Sequence, residues 1–347
     1  MNINKNPNIK VYQLNAFAQC IIANHKSYKE WHYNNYIQIF GWFLDGEKNE
    51  HDNCILAYLA GNIFGYIPLL TYDNFSDQLV ETKKEDVLSL LREYLEEDMV
   101  WYLFLDQFYT KEELAYQNRH YIRDVLLHKD NGENFEYVQF DNGFYSNHKA
   151  DEASFLKALT SHDANCLYRI KLNHGISYQF QLPVLIEMLK DYVYSRDSRE
   201  RIDLYLKKDM FHSDAVFGFQ KGTKYYFGMD VYKMLIKKME FCMKTRESLD
   251  GDMFHVMYEH KVHLIHTIRY CKENGYLEES LADSLMKRLG QIAERLYSIL
   301  YQVMRRDFSY KQRNLAGVIK EYEDIAQKEK KMLLELIEEL EKNCKEQ

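Results

Sequence analysis

The chain has 347 residues, 14 glycines, 3 prolines and a formal net charge of −8. Its length suits two domains, each able to bury a core without a disulfide or metal staple. The acidic balance, with no dominant basic stripe, argues against nucleic acid as a partner, and the scarcity of Gly and Pro argues against a loop-rich β-sandwich and for long helices.

In chain order, Ile9–Leu14 alternates weakly and reads as a short strand. Asn15 reads as the cap of a helix carrying Phe17, Cys20 and Ile21. Trp31–Phe40 reads as helix, residues 45–53 as a polar loop, and Cys54–Phe64 as a buried helix. Gly61, Asn62, Gly65 and Pro68 break the apolar stretch that begins at Cys54, and no run of about 18 apolar residues is present, so no membrane span is expected. Val87, Leu88, Leu91 and Leu95 give Glu85–Glu97 helical spacing.

The short apolar run Val100–Phe104, followed closely by Asp106, reads as a buried strand. Tyr121–Leu127 and Phe135–Phe140 are β-like and flank Lys129-Asp130-Asn131-Gly132, a strong turn signal, so a β-hairpin is expected. Asp151–Leu159 reads as a capped helix, and Ala164–Leu172 and Ala215–Phe219 as further strands. Beyond Met229 the pattern is helical. Phe254–Lys272, Leu281–Met304 and Leu315–Cys344 lack proline and carry apolar residues three and four apart. The expected fold is α+β, with a soft boundary near residue 160. Residues 1–160 would form one domain and residues 161–347 a mainly helical region packed closely on it, since no Pro/Gly/Ser linker separates them.

Six cysteines are scattered without a CxxC or metal-ligand spacing. They read as free thiols in a reducing cytoplasm, and MNINKNPNIK lacks the apolar core of a signal peptide. His255, Glu259 and His263 share a face of one expected helix and could bind a metal, but without an HExxH pattern they read as a solvated or interface face and no metal is expected. Basic clusters at Arg196–Arg201, Lys207-Lys208, Lys237-Lys238 and Arg305-Arg306 would attract an acidic partner.

The hairpin carries the chemical argument. A turn centred between Asp130 and Asn131 places His120 opposite Asp141; centring it on Asn131-Gly132 leaves them diagonal neighbours. A carboxylate beside an imidazole fixes the tautomer and favours the imidazolium, which is what a nucleophilic thiol needs. Two thiols compete for that role. Cys20 lies near the start of an expected helix, where unpaired N–H groups and the dipole lower a thiol's pKa, with Gln13 upstream as a donor to an oxyanion. Cys54 follows His51-Asp52-Asn53, a plausible cap, and is equally good on local grounds. The bland alternative for each is a small buried hydrophobe.

Gln13, Cys20, His120 and Asp141, in that order around a hairpin, resemble papain-like and bacteriocin-leader-peptidase-like domains. More specifically, Glu30–Phe40, Val100–Tyr109, His120–Asp141, Phe227–Ile236 and Phe254–Tyr270 resemble the BtrH-like acyltransferases and amide synthases of natural-product clusters. The resemblance implies a papain-like N-terminal half with antiparallel strands. It implies that the Cys attacks an acyl or peptidyl thioester held on the phosphopantetheine of a carrier protein, with a small amine opening the acyl-enzyme to an amide. His120 would act as base and acid and Asp141 as its orienter. Many such relatives place their Cys a few residues earlier, or lack it, so Cys20 would sit one or two turns inside its helix. A thioester is already activated, so no ATP, metal or other cofactor is expected. A cysteine peptidase or hydrolase on the same fold, and a catalytically silent accessory protein of a peptide-synthetase cluster, are the alternatives.

Overall fold

A computed structural model describes the chain except for residues 2, 44–53, 61–66, 82–85, 96–97, 142, 165, 199–222, 246, 248, 310–314 and 347. Mixed α and β structure is arranged with antiparallel sheets in the N-terminal half and helices in the C-terminal half. No helix among the described residues is long and apolar enough to cross a membrane.

Two compact units interleave along the chain. The first comprises Met1–Asn8, Ala16–Tyr28 and Ile67–Ser177; the second comprises Ile9–Asn15, Lys29–Tyr66 and Tyr178–Gln347. The expected boundary near residue 160 falls at the end of helix α5 (Glu152–Thr160), and the chain then adds strand β8 (Leu167–Leu172) to the first unit's sheet.

That sheet is built on β4 (Met99–Asp106), whose apolar run is buried at seven of eight positions because it is paired on both edges. The spatial order is β3 (Leu70–Asn74), β8, β4, β5 (Ile122–Asp130), β6 (Asn134–Asp141) and β7 (Phe144–Asp151), all antiparallel. Helix α3 (Ser76–Glu81) follows β3. Trp101, Leu103 and Leu105 of β4 share a core with Val87, Leu88 and Leu91 of α4 (Val87–Glu93) and with Phe155 and Ala158 of α5. The Asp151 side chain caps α5 by accepting from the Ser154 N–H at 3.0 Å. On the opposite face, Phe17 of α1 (Gln13–Ile22) packs edge-on against Tyr102, 6.2 Å between centroids.

The second unit contains α2 (Tyr28–Asn35), a three-stranded sheet ordered β2 (Cys54–Tyr58), β1 (Ile39–Phe43), β9 (Tyr225–Phe227), and the helices α6 (Leu182–Val193), α7 (Asp230–Thr245), α8 (Gly251–Glu273), α9 (Glu279–Ser309) and α10 (Leu315–Glu346). The turn from β9 into α7 requires glycine. Gly228 has φ +52°, and a Cβ there would lie 2.1 Å from the Tyr192 carbonyl oxygen. At the centre of the helices, Lys261 and Glu329 form an ion pair at 2.6 Å, each side chain 0% exposed. The Tyr192 and Tyr232 hydroxyls donate to the Glu329 carboxylate. Lys261 also donates to His260 Nδ1 at 2.9 Å, while His260 Nε2 donates to the Ile37 carbonyl at 2.8 Å. The imidazole is thereby fixed as the neutral Nε2–H tautomer.

Three local expectations change. Ile9–Leu14 is not a strand: the N–H groups of Lys10 and Val11 go to the buried Glu259 carboxylate, at 2.9 and 3.0 Å, instead of to a ladder. Trp31–Phe40 divides into the end of α2 and the start of β1. Cys54–Tyr58 is a strand rather than a helix, because a short apolar run carries no decisive period and pairing with β1 determines its state. The expected strand Ala215–Phe219, the cap His51–Asn53, and Arg201, Lys207 and Lys208 lie outside the described residues.

Candidate functional site: a histidine held by a buried aspartate

The expected hairpin forms, but its turn lies further along the chain. Its last pair is Asp130 with Phe135, and the register shifts between Leu127 and Lys129. Leu126 faces Val138 and Leu127 faces Tyr137, so His120 and Asp141 are about three residues, ~10 Å, out of register. Asp141 instead closes β6 opposite Phe144 of β7. A bulge and a displaced turn together overturn the expected His120–Asp141 pairing.

His120 finds its carboxylate on the other neighbour of β5. The β4–β5 ladder ends with Asp106 opposite Ile122 and continues in the bond from the Gln107 N–H to the Tyr121 carbonyl, 3.0 Å. One further step brings His120 against Phe108, its ring stacked at 4.4 Å with an interplanar angle of 22°. His120 Nδ1 then meets Asp106 Oδ2 at 2.6 Å. Asp106 is 2% exposed, whereas the His120 side chain is 64% exposed.

The Asp106 carboxylate is held from several sides. Oδ1 accepts from the N–H groups of Phe108 at 3.1 Å and Tyr121 at 3.0 Å, and Oδ2 accepts additionally from the Ser161 hydroxyl at 3.4 Å. Burial works to raise its pKa, but His120 and the two main-chain donors outweigh burial and hold it below the usual carboxylate value. A carboxylate on Nδ1 places the ring proton there and turns Nε2 outward as an acceptor. Asp106 was visible in sequence only as the polar end of an apolar strand. The local signal for its role is the turn it forms with the N–H two residues on.

The thiols occupy different settings from those expected. Cys20 is in the last turn of α1, not at its N-terminal end, and is 0% exposed. Burial lifts its pKa to about 12, and no interaction with His120 accompanies it. Gln13 is the first residue of α1, about 10 Å along the helix axis from Cys20. Cys54 starts β2, is buried with its sulfur against that of Met253, and is also raised to about 12, chiefly by burial. Cys20 has no cation beside it among the described residues, and at Cys54 the pull of Lys238 is outweighed by burial, so neither thiol is set up as a thiolate at neutral pH.

Glu259 of the His255–Glu259–His263 face serves Lys10 and Val11, and no group of three or more metal-ligating side chains occurs among the described residues. A groove of about 510 Å3 between α9 and α10 is lined by Arg288, Arg295 and Lys328. Arg288, Arg295 and Lys328 are engaged by Glu335, Glu321 and Asp324, and Lys331 also lines the groove. Within the Lys237-Lys238 cluster, Lys238 is buried.

No family model matches the chain, and no curated protein matches it in sequence.

Proposed function

We propose that the chain transfers an acyl group from a carrier-protein thioester to a small amine, with the His120–Asp106 dyad as general base and no acyl-thiol intermediate. The observation that carries this reading is the 2.6 Å contact of His120 Nδ1 with the buried Asp106, which leaves Nε2 facing outward. The donor and acceptor classes come from the resemblance to BtrH-like amide synthases, and the reading takes the first unit's antiparallel sheet as the counterpart of their papain-like half. Nε2 takes a proton from the attacking amine as the C–N bond forms. It then delivers that proton to the leaving phosphopantetheine thiolate as the C–S bond breaks. The thioester supplies the driving force, and the reading places the chain in the cytoplasm beside its carrier protein.

A second reading, a catalytically silent accessory protein that binds carrier proteins, is favoured by the burial of Cys20 and Cys54. One experiment separates the two. An acylated carrier protein is mixed with a panel of primary amines, and amide is followed by mass spectrometry for the wild type, His120→Ala, Asp106→Asn, Cys20→Ser and Cys54→Ser. Direct transfer predicts a loss of about 100-fold or more in His120→Ala, a comparable loss in Asp106→Asn, and little change in either Cys→Ser variant. Wild-type rates equal to the uncatalysed background, with retained carrier binding, establish the accessory reading instead.

A further inference from the structure

A second histidine–carboxylate pair lies in the first unit, and a hydroxyl is attached to it. Ser146 and His148 are two residues apart on β7, so their side chains emerge on one face. Ser146 Oγ is 2.8 Å from His148 Nε2. His148 Nδ1 is 3.0 Å from Glu113 Oε1, an ion-pair contact off the axis of a linear hydrogen bond, as such contacts often are before substrate binds. Glu113 is itself positioned by the Tyr137 hydroxyl at 3.2 Å and by the Gln139 amide, and Tyr137 stacks on the His148 ring at 5.8 Å. Burial alone would lower the His148 pKa; Glu113 beside it, with Asp141 and Glu112 further out, outweighs burial and raises it. Ser146 itself is half-buried rather than enclosed.

The surroundings favour an acyl group. β7 is an edge strand of the sheet, and an edge strand turns alternate main-chain N–H groups away from its ladder, the kind of donor an oxyanion requires; on this edge the Lys149 N–H goes to the Glu112 carboxylate at 3.1 Å. Two strongly exposed large apolar side chains adjoin the pair in sequence: Leu114, 77% exposed, follows Glu113, and Phe144, 69% exposed, is two residues before Ser146 on the same face.

We infer that Ser146, His148 and Glu113 form a nucleophilic site in which the Ser146 hydroxyl accepts the acyl group of an activated ester or thioester with a small apolar acyl chain. Oγ attacks the carbonyl carbon and its proton passes to His148 Nε2. The bond to the leaving alkoxide or thiolate breaks, and that group takes the proton. Water then attacks the acyl carbon and gives its proton to His148 Nε2, which passes it to Ser146 Oγ as the C–Oγ bond breaks and the carboxylic acid leaves. Glu113 acts as the positioning residue for the imidazole. The site uses neither His120 nor Asp106 and is independent of the proposed amide synthesis.

An alkyl fluorophosphonate tests it, since the probe bonds to an activated serine hydroxyl with loss of fluoride. The full-length chain is labelled across pH and the modified peptide identified by mass spectrometry. The expected result is one adduct on Ser146, forming faster as His148 loses its proton, at a pH above the ordinary imidazole range. Ser146→Ala abolishes it, His148→Gln slows it about 100-fold or more, and Glu113→Gln slows it less but shifts the pH profile. His120→Ala leaves labelling within about twofold, which separates this site from the dyad. No Ser146 adduct on the folded wild type overturns the inference. So does a labelling rate unchanged in a His148→Gln variant shown by circular dichroism to be folded.

Discussion

His120 is oriented by Asp106, fourteen residues earlier, through a 2.6 Å contact to Nδ1, while Asp141, three positions out of register, serves the next hairpin. The β4–β5 ladder thus supplies what the β5–β6 hairpin was expected to supply. Asp106 is more than an orienter, because it also accepts two main-chain N–H groups at the end of the sheet.

Removing the Asp106 carboxylate therefore has a structural cost. Asp106→Ala leaves the Phe108 and Tyr121 N–H groups without this acceptor and lowers stability by about 1–3 kcal/mol, read from urea denaturation. The pH dependence follows from the depressed folded pKa. Stability from the carboxylate is fully present above the unfolded value near ~3.9 and is lost as pH falls through the folded value. Asp106→Asn flattens that acid limb, whereas an acid limb identical to wild type contradicts the assignment.

The cysteines differ in reactivity in the order set by burial. With pKa values of about 12, Cys20 and Cys54 are almost wholly protonated at pH 8. Cys166, half-buried, is raised to about 11, first by burial and then by Asp124, and Cys344 is half-buried near the C-terminus. Iodoacetamide mapping of the native chain should modify Cys344 first and the four buried thiols, Cys20, Cys54, Cys242 and Cys271, last, with no change in His120→Ala. Fast alkylation of Cys20 near neutral pH that depends on His120 would instead restore the thiol mechanism.

The buried ion pair in the second unit provides a test of its core. Lys261→Met leaves Glu329 charged at 0% exposure and should cost about 3–5 kcal/mol. The double variant Lys261→Met/Glu329→Gln keeps an acceptor for the Tyr192 and Tyr232 hydroxyls without the charge, and it should recover a large part of that loss. Equal destabilisation of single and double variants in thermal unfolding would show that the cost is one of packing.

The same unit should be sensitive to acid. His263 is buried beside His32, 4.6 Å between ring centroids, and burial followed by repulsion from His266 lowers its pKa to about 3. His32 and His260 are displaced in the same direction by burial first. The unfolded chain binds protons at these sites below pH ~6.5 and the folded chain does not. Stability should therefore fall as pH drops from 6.5 toward the folded values, by about 1.4 kcal/mol per pH unit for each histidine. His263→Gln should reduce that slope between pH 6.5 and 3, measured by chemical denaturation at each pH.

The local code of this chain was sufficient for β4, for the existence of the β5–β6 hairpin, for α5 with its Asp151 cap and for the long C-terminal helices, because each rests on periodicity or capping within a single element. It was insufficient where two states share one pattern: Cys54–Tyr58 is a strand only because β1 lies beside it. Nor does a strong turn signal specify register. One bulge between Leu127 and Lys129 and a turn displaced along the chain were enough to separate His120 from Asp141. The partnership of His120 with Asp106, the closeness of Ser146, His148 and Glu113, and the burial of both candidate thiols were decided by the tertiary structure. Each depends on which strand lies beside which and on what covers a helix face, relations between segments distant in sequence that no local pattern encodes.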